Sequence, residues 1–344
     1  MPDIRGMDVS LNAHNYDYFL EQFPLGSFLQ SRFWKRFLHL QGKKAWQLGV
    51  YENSHLLAHC LVYTNKLLLG KSYLYAPKGP LILPTLTQDE RKEALELILS
   101  QIRDITVATR RREELFCRIE PNVTVPELTE LPARQTEPIQ PSTTLYLNLE
   151  RPLDELFAAC KEKTRYNIRL AERKGIQVHW SQNEEGIEKL VSLIESSKTR
   201  QGFRMHRKHY YRLLLQADTE HTTVHVNWAT HEGIPIAANL YLVLDPTMTY
   251  IHGGFNYEYR HLMAPYLLQW AALQKAVELR LAYYDFWGYA PRDGSKPSWA
   301  GFSRFKEGFG GTVVESPGCF DYLYNPMWYN VYTKMRTVRR SLPF

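Results

Sequence analysis

Between residues 121 and 141 five prolines, Pro121, Pro126, Pro132, Pro138 and Pro141, arrive every three to six residues with no apolar period among them. Each fixes its φ angle and removes a backbone donor, so the stretch reads as a stiffened boundary or linker rather than as a helix or a central strand. A chain of 344 residues interrupted in this way has the length for two domains of ordinary size.

On each side of the break the hydrophobic pattern has a similar order. In the first half, residues 28–40 carry apolar side chains at 28, 29, 33, 37, 38 and 40, close to a helical stripe with Lys35 and Arg36 off it, and Gly42 would stop that helix. Strand-like runs at 46–51 and 56–64 flank Glu52-Asn53-Ser54-His55 as a hairpin. A strand into Pro77-Lys78-Gly79-Pro80, a helix over 88–108 and a strand over 115–121 follow. In the second half come a strand at 144–149, helices at 152–162 and 164–174, a strand at 176–180 and helices at 184–199 and 208–216. Strands at 223–230, 235–244 and 248–255, a helix at 263–281 with Pro265 in its first turn, a strand at 283–288 and a helix at 326–340 complete it. Each half is an α+β unit of helices, an antiparallel meander, a long helix and a further strand. This predicts two acetyltransferase-like (GNAT) domains in tandem: 1–143, with the helix 326–344 packing back on it, and 144–325.

Composition narrows the function classes. The apolar and charged fractions are those of a soluble globular protein. The 8 Trp, 22 Tyr and 15 Phe residues suit clefts that grip a large polar ligand. A net charge of +6 permits a polyanionic partner without demanding one. Cys60, Cys117, Cys160 and Cys319 form no C-x-x-C pair and have no histidine at ligand spacing. Neither a metal site nor a disulfide framework is expected, and a reducing cytoplasm fits. Residues 1–30 show no signal-peptide pattern, and no run of eighteen apolar residues occurs.

The segment Gly301-Phe302-Ser303-Arg304-Phe305-Lys306-Glu307-Gly308-Phe309-Gly310-Gly311 holds rings at i, i+3 and i+7 and ends on two glycines, as a short helix with a left-handed C-terminal turn would. Spacing alone reads Lys306 as a solvated lysine beside that packed stripe. In 161–175, Arg165, Arg169 and Arg173 recur at i, i+4 and i+8, with Tyr166, Ile168 and Leu170 as buried surface. The stripe is either an ordinary solvated face partnered by Glu162 and Glu172, or a face for RNA phosphates. A second cluster, Lys198, Arg200, Arg204, Arg207, Lys208 and Arg212, is interleaved with Phe203, Tyr210 and Tyr211, a mixture that suits a nucleotide. Tyr250 and His252 alternate on their strand and so should share one face, cleft or core.

No G-x-S-x-G elbow, P-loop or dinucleotide fingerprint is present. Where an acetyltransferase would place its glycine-rich pyrophosphate turn, this chain has Arg260-His261-Leu262-Met263-Ala264-Pro265. Methionine replaces the first glycine and Pro265 removes a donor, which argues against acyl-CoA.

Four segments, in order along the chain, resemble the FemABX family of peptidoglycan bridge-forming aminoacyltransferases. They are Phe28-Leu29-Gln30-Ser31 with Trp34-Lys35; Tyr75-Ala76-Pro77-Lys78-Gly79-Pro80; Lys163-Thr164-Arg165-Tyr166-Asn167-Ile168-Arg169 with Ala171 and Gly175; and Arg304-Phe305-Lys306-Glu307-Gly308-Phe309-Gly310-Gly311. The resemblance implies two GNAT-like domains. It implies transfer of an amino acid from aminoacyl-tRNA, as co-substrate with no other cofactor, to a stem-peptide side-chain amine of a peptidoglycan precursor, UDP-MurNAc-pentapeptide or lipid II. By the same resemblance Lys306 would stabilise the developing oxyanion. Phe305 would shape the path of the tRNA end, Lys35, Arg207 and Tyr211 would hold the precursor, and Tyr250 would wall the cleft. Arg165, Arg169 and Arg173 are the candidate tRNA contacts. No heptad arm is inserted, so the chain resembles the arm-less branch. A cytoplasmic monomer, with peripheral association at the inner membrane face if the acceptor is lipid-linked, is expected. The competing expectations are an acyl-CoA-dependent N-acyltransferase of the same fold and a non-catalytic RNA-binding protein.

Overall fold

The computed structural model describes residues 3–6, 18–25, 27–53, 55–108, 113–122, 133–201 and 206–341. Residues 123–132 of the proline-rich stretch, and Phe203 and Arg204 of the second basic cluster, lie outside them. The chain divides into two units: Met1–Phe23, Leu29–Gln140 and Ser316–Phe344 in the first, and Pro24–Phe28 and Pro141–Glu315 in the second.

The first unit is built on a sheet in the order β1 (Asp3–Gly6), β2 (Ala45–Glu52), β3 (His55–Lys66), β4 (Ser72–Pro77), β6 (Glu114–Glu120), β15 (Cys319–Leu323) and β7 (Ala133–Thr136), with β5 (Leu81–Ile82) paired to β3. The β4–β6 pair is parallel, and the crossover between them carries helix α2 (Gln88–Ala108), because parallel neighbours need a connection longer than a hairpin. Alternation along the strands sends Cys60, Val62, Leu74 and Ala76 to one face, against Ala94, Leu95, Ile98 and Ile102 of α2. Leu61, Tyr63, Tyr73 and Tyr75 face the other way, toward Leu38 of α1 (Arg32–Leu40) and Tyr329 of α9 (Pro326–Ser341).

Residues of the first two family-resembling segments meet in this unit. Ser31 caps α1, accepting from the Trp34 N–H at 3.2 Å. The fully buried Gln30 amide donates to Leu61 O (3.2 Å) and Pro77 O (2.7 Å) and accepts from Leu61 N (2.6 Å). Any Cβ on Gly79 would stand 2.6 Å from that amide, so the glycine is what lets the Pro77–Pro80 turn close over Gln30.

One expected boundary falls too late. The sequence places residues 144–325 in the second domain and marks no strand after 283–288, but β15 lies between β6 and β7 in the first unit's sheet. Arg118 explains its place: the buried guanidinium donates through Nε and Nη2 to Asp321 at 2.7 Å each, and Asp321 also accepts the Tyr329 hydroxyl at 2.9 Å.

The second unit has a sheet in the order β14 (Thr312–Glu315), β8 (Thr143–Asn148), β13 (Tyr283–Gly288), β12 (Thr247–Phe255), β11 (Ile234–Leu244), β10 (Thr222–His231) and β9 (Gln177–Ser181). β12 and β13 are parallel and are joined through α7 (Ala264–Glu278). Helices α3 (Leu153–Ala159), α4 (Glu162–Arg173), α5 (Glu184–Gln201), α6 (Lys208–Gln216) and α8 (Ala300–Glu307) complete it. Its core joins Leu145, Ile168, Tyr241, Leu268, Tyr284 and Phe309.

Candidate active site

Helix α8 ends at Glu307, and Gly308 follows as its C-cap still in helical conformation. Phe309 therefore leaves the helix and packs fully buried against Phe286, with ring centroids 5.6 Å apart. The glycines permit this close passage. A Cβ on Gly308 would lie 2.2 Å from the Thr164 hydroxyl, and one on Gly311, whose φ is +99°, would lie 2.7 Å from Tyr146 O.

Lys306 is not the solvated lysine that spacing alone predicts: it is 6% exposed. Its Nζ donates to Phe286 O at 2.7 Å and Gly288 O at 2.6 Å. Both carbonyls belong to the end of β13, where the register with β8 slips between Asp285 and Gly288 and Trp287 adopts φ +56°. That bulge presents alternate carbonyls to a single ammonium group. The ring of Phe302 lies 4.9 Å from Nζ and that of Tyr250 lies 5.5 Å away, near enough to favour a cation. Burial nevertheless pulls the Lys306 pKa down to about 7, against the attraction of Asp285. An ammonium has three N–H groups. Two meet carbonyls, and among the described residues the third has no acceptor.

Phe305 sits on the same helix and packs edge-on against Tyr266 (4.9 Å) and Phe309 (5.5 Å). The Tyr250 ring packs tilted against that of Tyr241 at 5.8 Å, and its hydroxyl fills the space where a Gly253 side chain would be. His252 does not share its face, contrary to the alternation argument. The β11–β12 register slips so that Tyr250 opposes Tyr241 while His252 opposes Leu240. His252 instead joins the rings of His206 (5.7 Å) and Tyr211 (5.6 Å). Burial pushes His252 down to about 3 and Tyr211 up to about 12. Arg207, the exposed N-cap of α6, neighbours this ring group in sequence. The structure thus brings Lys306, Tyr250 and Phe302 together and, separately, Tyr211, His206 and His252. Lys35 lies half-buried on α1 of the first unit, where its charge opposes that of His59.

The 161–175 stripe divides. The buried face of α4 is Thr164, Asn167, Ile168 and Ala171, the i, i+3, i+4, i+7 set of a helix. Tyr166, expected to be buried, is 56% exposed. Arg165 donates to Ala158 O (3.0 Å) and to Cys160 O, satisfying carbonyls at the end of α3. Arg169 and Arg173 remain exposed, over the rings of Phe157 (5.2 Å) and Tyr166 (6.0 Å). In the 260–265 turn, Met263 is left-handed (φ +57°) and Pro265 occupies the first turn of α7.

Sequence reasoning missed Asp285, Phe302, His206 and the two β13 carbonyls. A carboxylate inside the otherwise aromatic run Tyr283-Tyr284-Asp285-Phe286-Trp287 was an available signal for Asp285. The carbonyls carry none, because a backbone bulge has no side-chain signature there.

The sequence model of the FemAB family matches residues 11–133, 129–227 and 218–337. Aminoacyltransferase FemA of Staphylococcus epidermidis is 28% identical over 107 residues, which is 31% of this chain and 26% of that protein. FemA of Staphylococcus aureus is 26% identical over 106 residues, 31% of this chain and 25% of the relative. These alignments span about a quarter of the curated relatives' length. Among solved structures, FemX superposes with a TM-score of 0.82 at 19% identity, covering 95% of this chain and 99% of FemX. A tandem GNAT protein from the clavulanic acid biosynthesis pathway gives 0.59 at 11% identity, covering 95% and 99%. The architecture is an α+β tandem GNAT-like fold.

Proposed function

The chain belongs to the FemAB family, and from that premise we propose that it is an aminoacyltransferase acting on peptidoglycan precursors. It takes the amino acid from its tRNA ester and joins it to a stem-peptide side-chain amine of a UDP-linked or lipid-linked precursor, building the interpeptide bridge. The amine nitrogen attacks the ester carbonyl, the new C–N bond forms, the C–O bond to ribose breaks, and the amine's proton passes to the departing ribose oxygen. Ester-to-amide exchange is downhill, so the protein's task is to position two substrates and stabilise charge on oxygen.

The observation that carries this reading is the buried Lys306 ammonium, held by two carbonyls and with no acceptor for its third N–H among the described residues. Such a donor is preorganised for an oxyanion. Phe305 and Tyr250 shape its surroundings. Arg207 and Tyr211 of the second unit serve the precursor's phosphates and sugar, Lys35 is a separate candidate precursor contact on the first unit, and the exposed Arg169 and Arg173, more than the engaged Arg165, serve the tRNA. Aminoacyl-tRNA is the co-substrate, with no further cofactor, and the protein works as a cytoplasmic monomer, peripherally at the membrane when the acceptor is lipid-linked. Among the described residues no helix is long and apolar enough to cross a membrane. The acyl-CoA reading gains no support from the left-handed Met263 and the donor-less Pro265.

Incubating the protein with a mixture of charged tRNAs and UDP-linked muropeptide, then weighing the product, is the direct test. A mass gain of one amino-acid residue is expected and names the residue. No gain with either the UDP-linked or the lipid-linked acceptor, or a gain from acetyl-CoA, overturns the proposal.

A further inference from the structure

The hairpin joining β3 to β4 is Leu67-Leu68-Leu69-Gly70-Lys71. Its tip holds Leu68 and Leu69 65% and 72% exposed. Leu69 has φ +58° and Gly70 φ +69°, a pair of left-handed positions that Asn-Gly or Gly-Gly fill at lower cost. An aliphatic side chain is thus carried to solvent against the turn's own preference.

Beside it runs α9, which shows Met327, Val331 and Met335 to solvent at 69%, 40% and 40%. Hairpin and helix line one groove of about 760 Å³. Its walls include Lys66, Lys71, Lys334 and Arg336, and no Asp or Glu. Lys71 Nζ stands 4.8 Å from the centre of the Trp328 ring. Arg336 pairs at 3.4 Å with Glu137, while Lys66 and Lys334 have no carboxylate partner among the described residues.

We propose that this face of the first unit docks on an anionic lipid bilayer, with the Leu68-Leu69 tip and the apolar side of α9 entering the headgroup boundary and the surrounding cations on acidic headgroups. The chemistry is that of interfacial attachment: an apolar centre too small to span, an indole at the margin, and basic residues that gain from a negative surface. RNA fits less well, since phosphates answer the cations but nothing in a polynucleotide answers exposed aliphatic side chains. The inference does not rest on the transfer reaction. Attachment would bring the protein to a lipid-linked acceptor, and it stands whether or not the chemistry above is correct.

The full chain is sedimented with vesicles of phosphatidylcholine alone and of phosphatidylcholine mixed with phosphatidylglycerol, at low and high salt. Partition to the phosphatidylglycerol vesicles that weakens with salt is expected. The double variant Leu68→Ser, Leu69→Ser should lose roughly tenfold or more of it. Lys66→Gln with Lys334→Gln should lose on the order of fivefold per charge. Each variant should keep the wild-type melting temperature and the wild-type rate on a soluble UDP-linked acceptor, a rate that reports on the transfer reading separately. The proposal is overturned if the wild type ignores anionic vesicles or the leucine variant binds them equally. It is overturned too if sedimentation velocity shows a dimer that the leucine variant dissolves, which assigns the face to a second copy, or if that variant loses tRNA binding instead.

Discussion

A lysine shielded from water gives up the hydration that keeps it charged, and among the described residues Lys306 has two carbonyls, two rings and the field of Asp285 in exchange. Removing it in Lys306→Ala should cut turnover by about 10²–10³-fold, the usual loss for one oxyanion donor, and a wild-type rate would refute the role. Its protonation gives a second readout. With the pKa near 7, the third N–H disappears as pH rises through neutrality, so kcat should show a descending limb there that is absent in Lys306→Arg, whose guanidinium stays charged. A rate that climbs through the same range in wild type alone would make the neutral amine a base instead. Stability follows with its own sign. The unfolded lysine titrates near 10.5 and the folded one near 7, so between these values the unfolded chain holds the extra proton. Wild type should therefore gain stability relative to Lys306→Met as pH rises from about 7 toward 10, and lose that gain as pH falls back, which thermal melts across the range would measure. The sequence points to Lys306 through its family motif, and not to its burial: a period of 3.6 places residue 306 beside the stripe of rings, whereas the end of β13 and the rings of Phe302 and Tyr250, which that period does not reveal, enclose its ammonium group.

Elements here are disturbed where they matter most. β13 slips at Trp287 and β12 slips between Tyr250 and His252. Both bulges are backbone events, and this is why the strands themselves were legible from alternation while the faces of their side chains were not. Gly311 is a comparable point, with its φ of +99° and the Tyr146 carbonyl 2.7 Å from where a Cβ would go. Gly311→Ala should lower stability by about 1–3 kcal/mol and reduce transfer by displacing the end of α8, measured by denaturant unfolding and initial rates. Unchanged values in both would show that the segment yields without cost. The helices are plainer in the sequence, since Gln88–Ala108 and Lys208–Gln216 carry their apolar period in their own residues.

At the scale of the molecule, the first unit is made from both ends of the chain. Arg118 and Asp321, both buried, hold β15 in place. Asp321→Ala leaves the guanidinium without its carboxylate and should cost about 3–5 kcal/mol, seen as a fall in the unfolding midpoint; a change within error would mean that water replaces the carboxylate. A fragment of residues 1–143 should accordingly fail to give a cooperative melt, while fusing residues 1–140 to 316–344 through a flexible linker should restore one. Nothing local in the sequence marks β15 as the first unit's property, for its five residues look like any short strand and its partners lie some two hundred positions upstream, as the 203-residue separation of Arg118 and Asp321 shows. The interruption also orders events during synthesis. Residues 141–315 have all left the ribosome before Ser316–Phe344 emerge, so the Lys306-bearing half can close around its own core while the nascent amino-terminal half still waits, one strand short, for the tail that completes it.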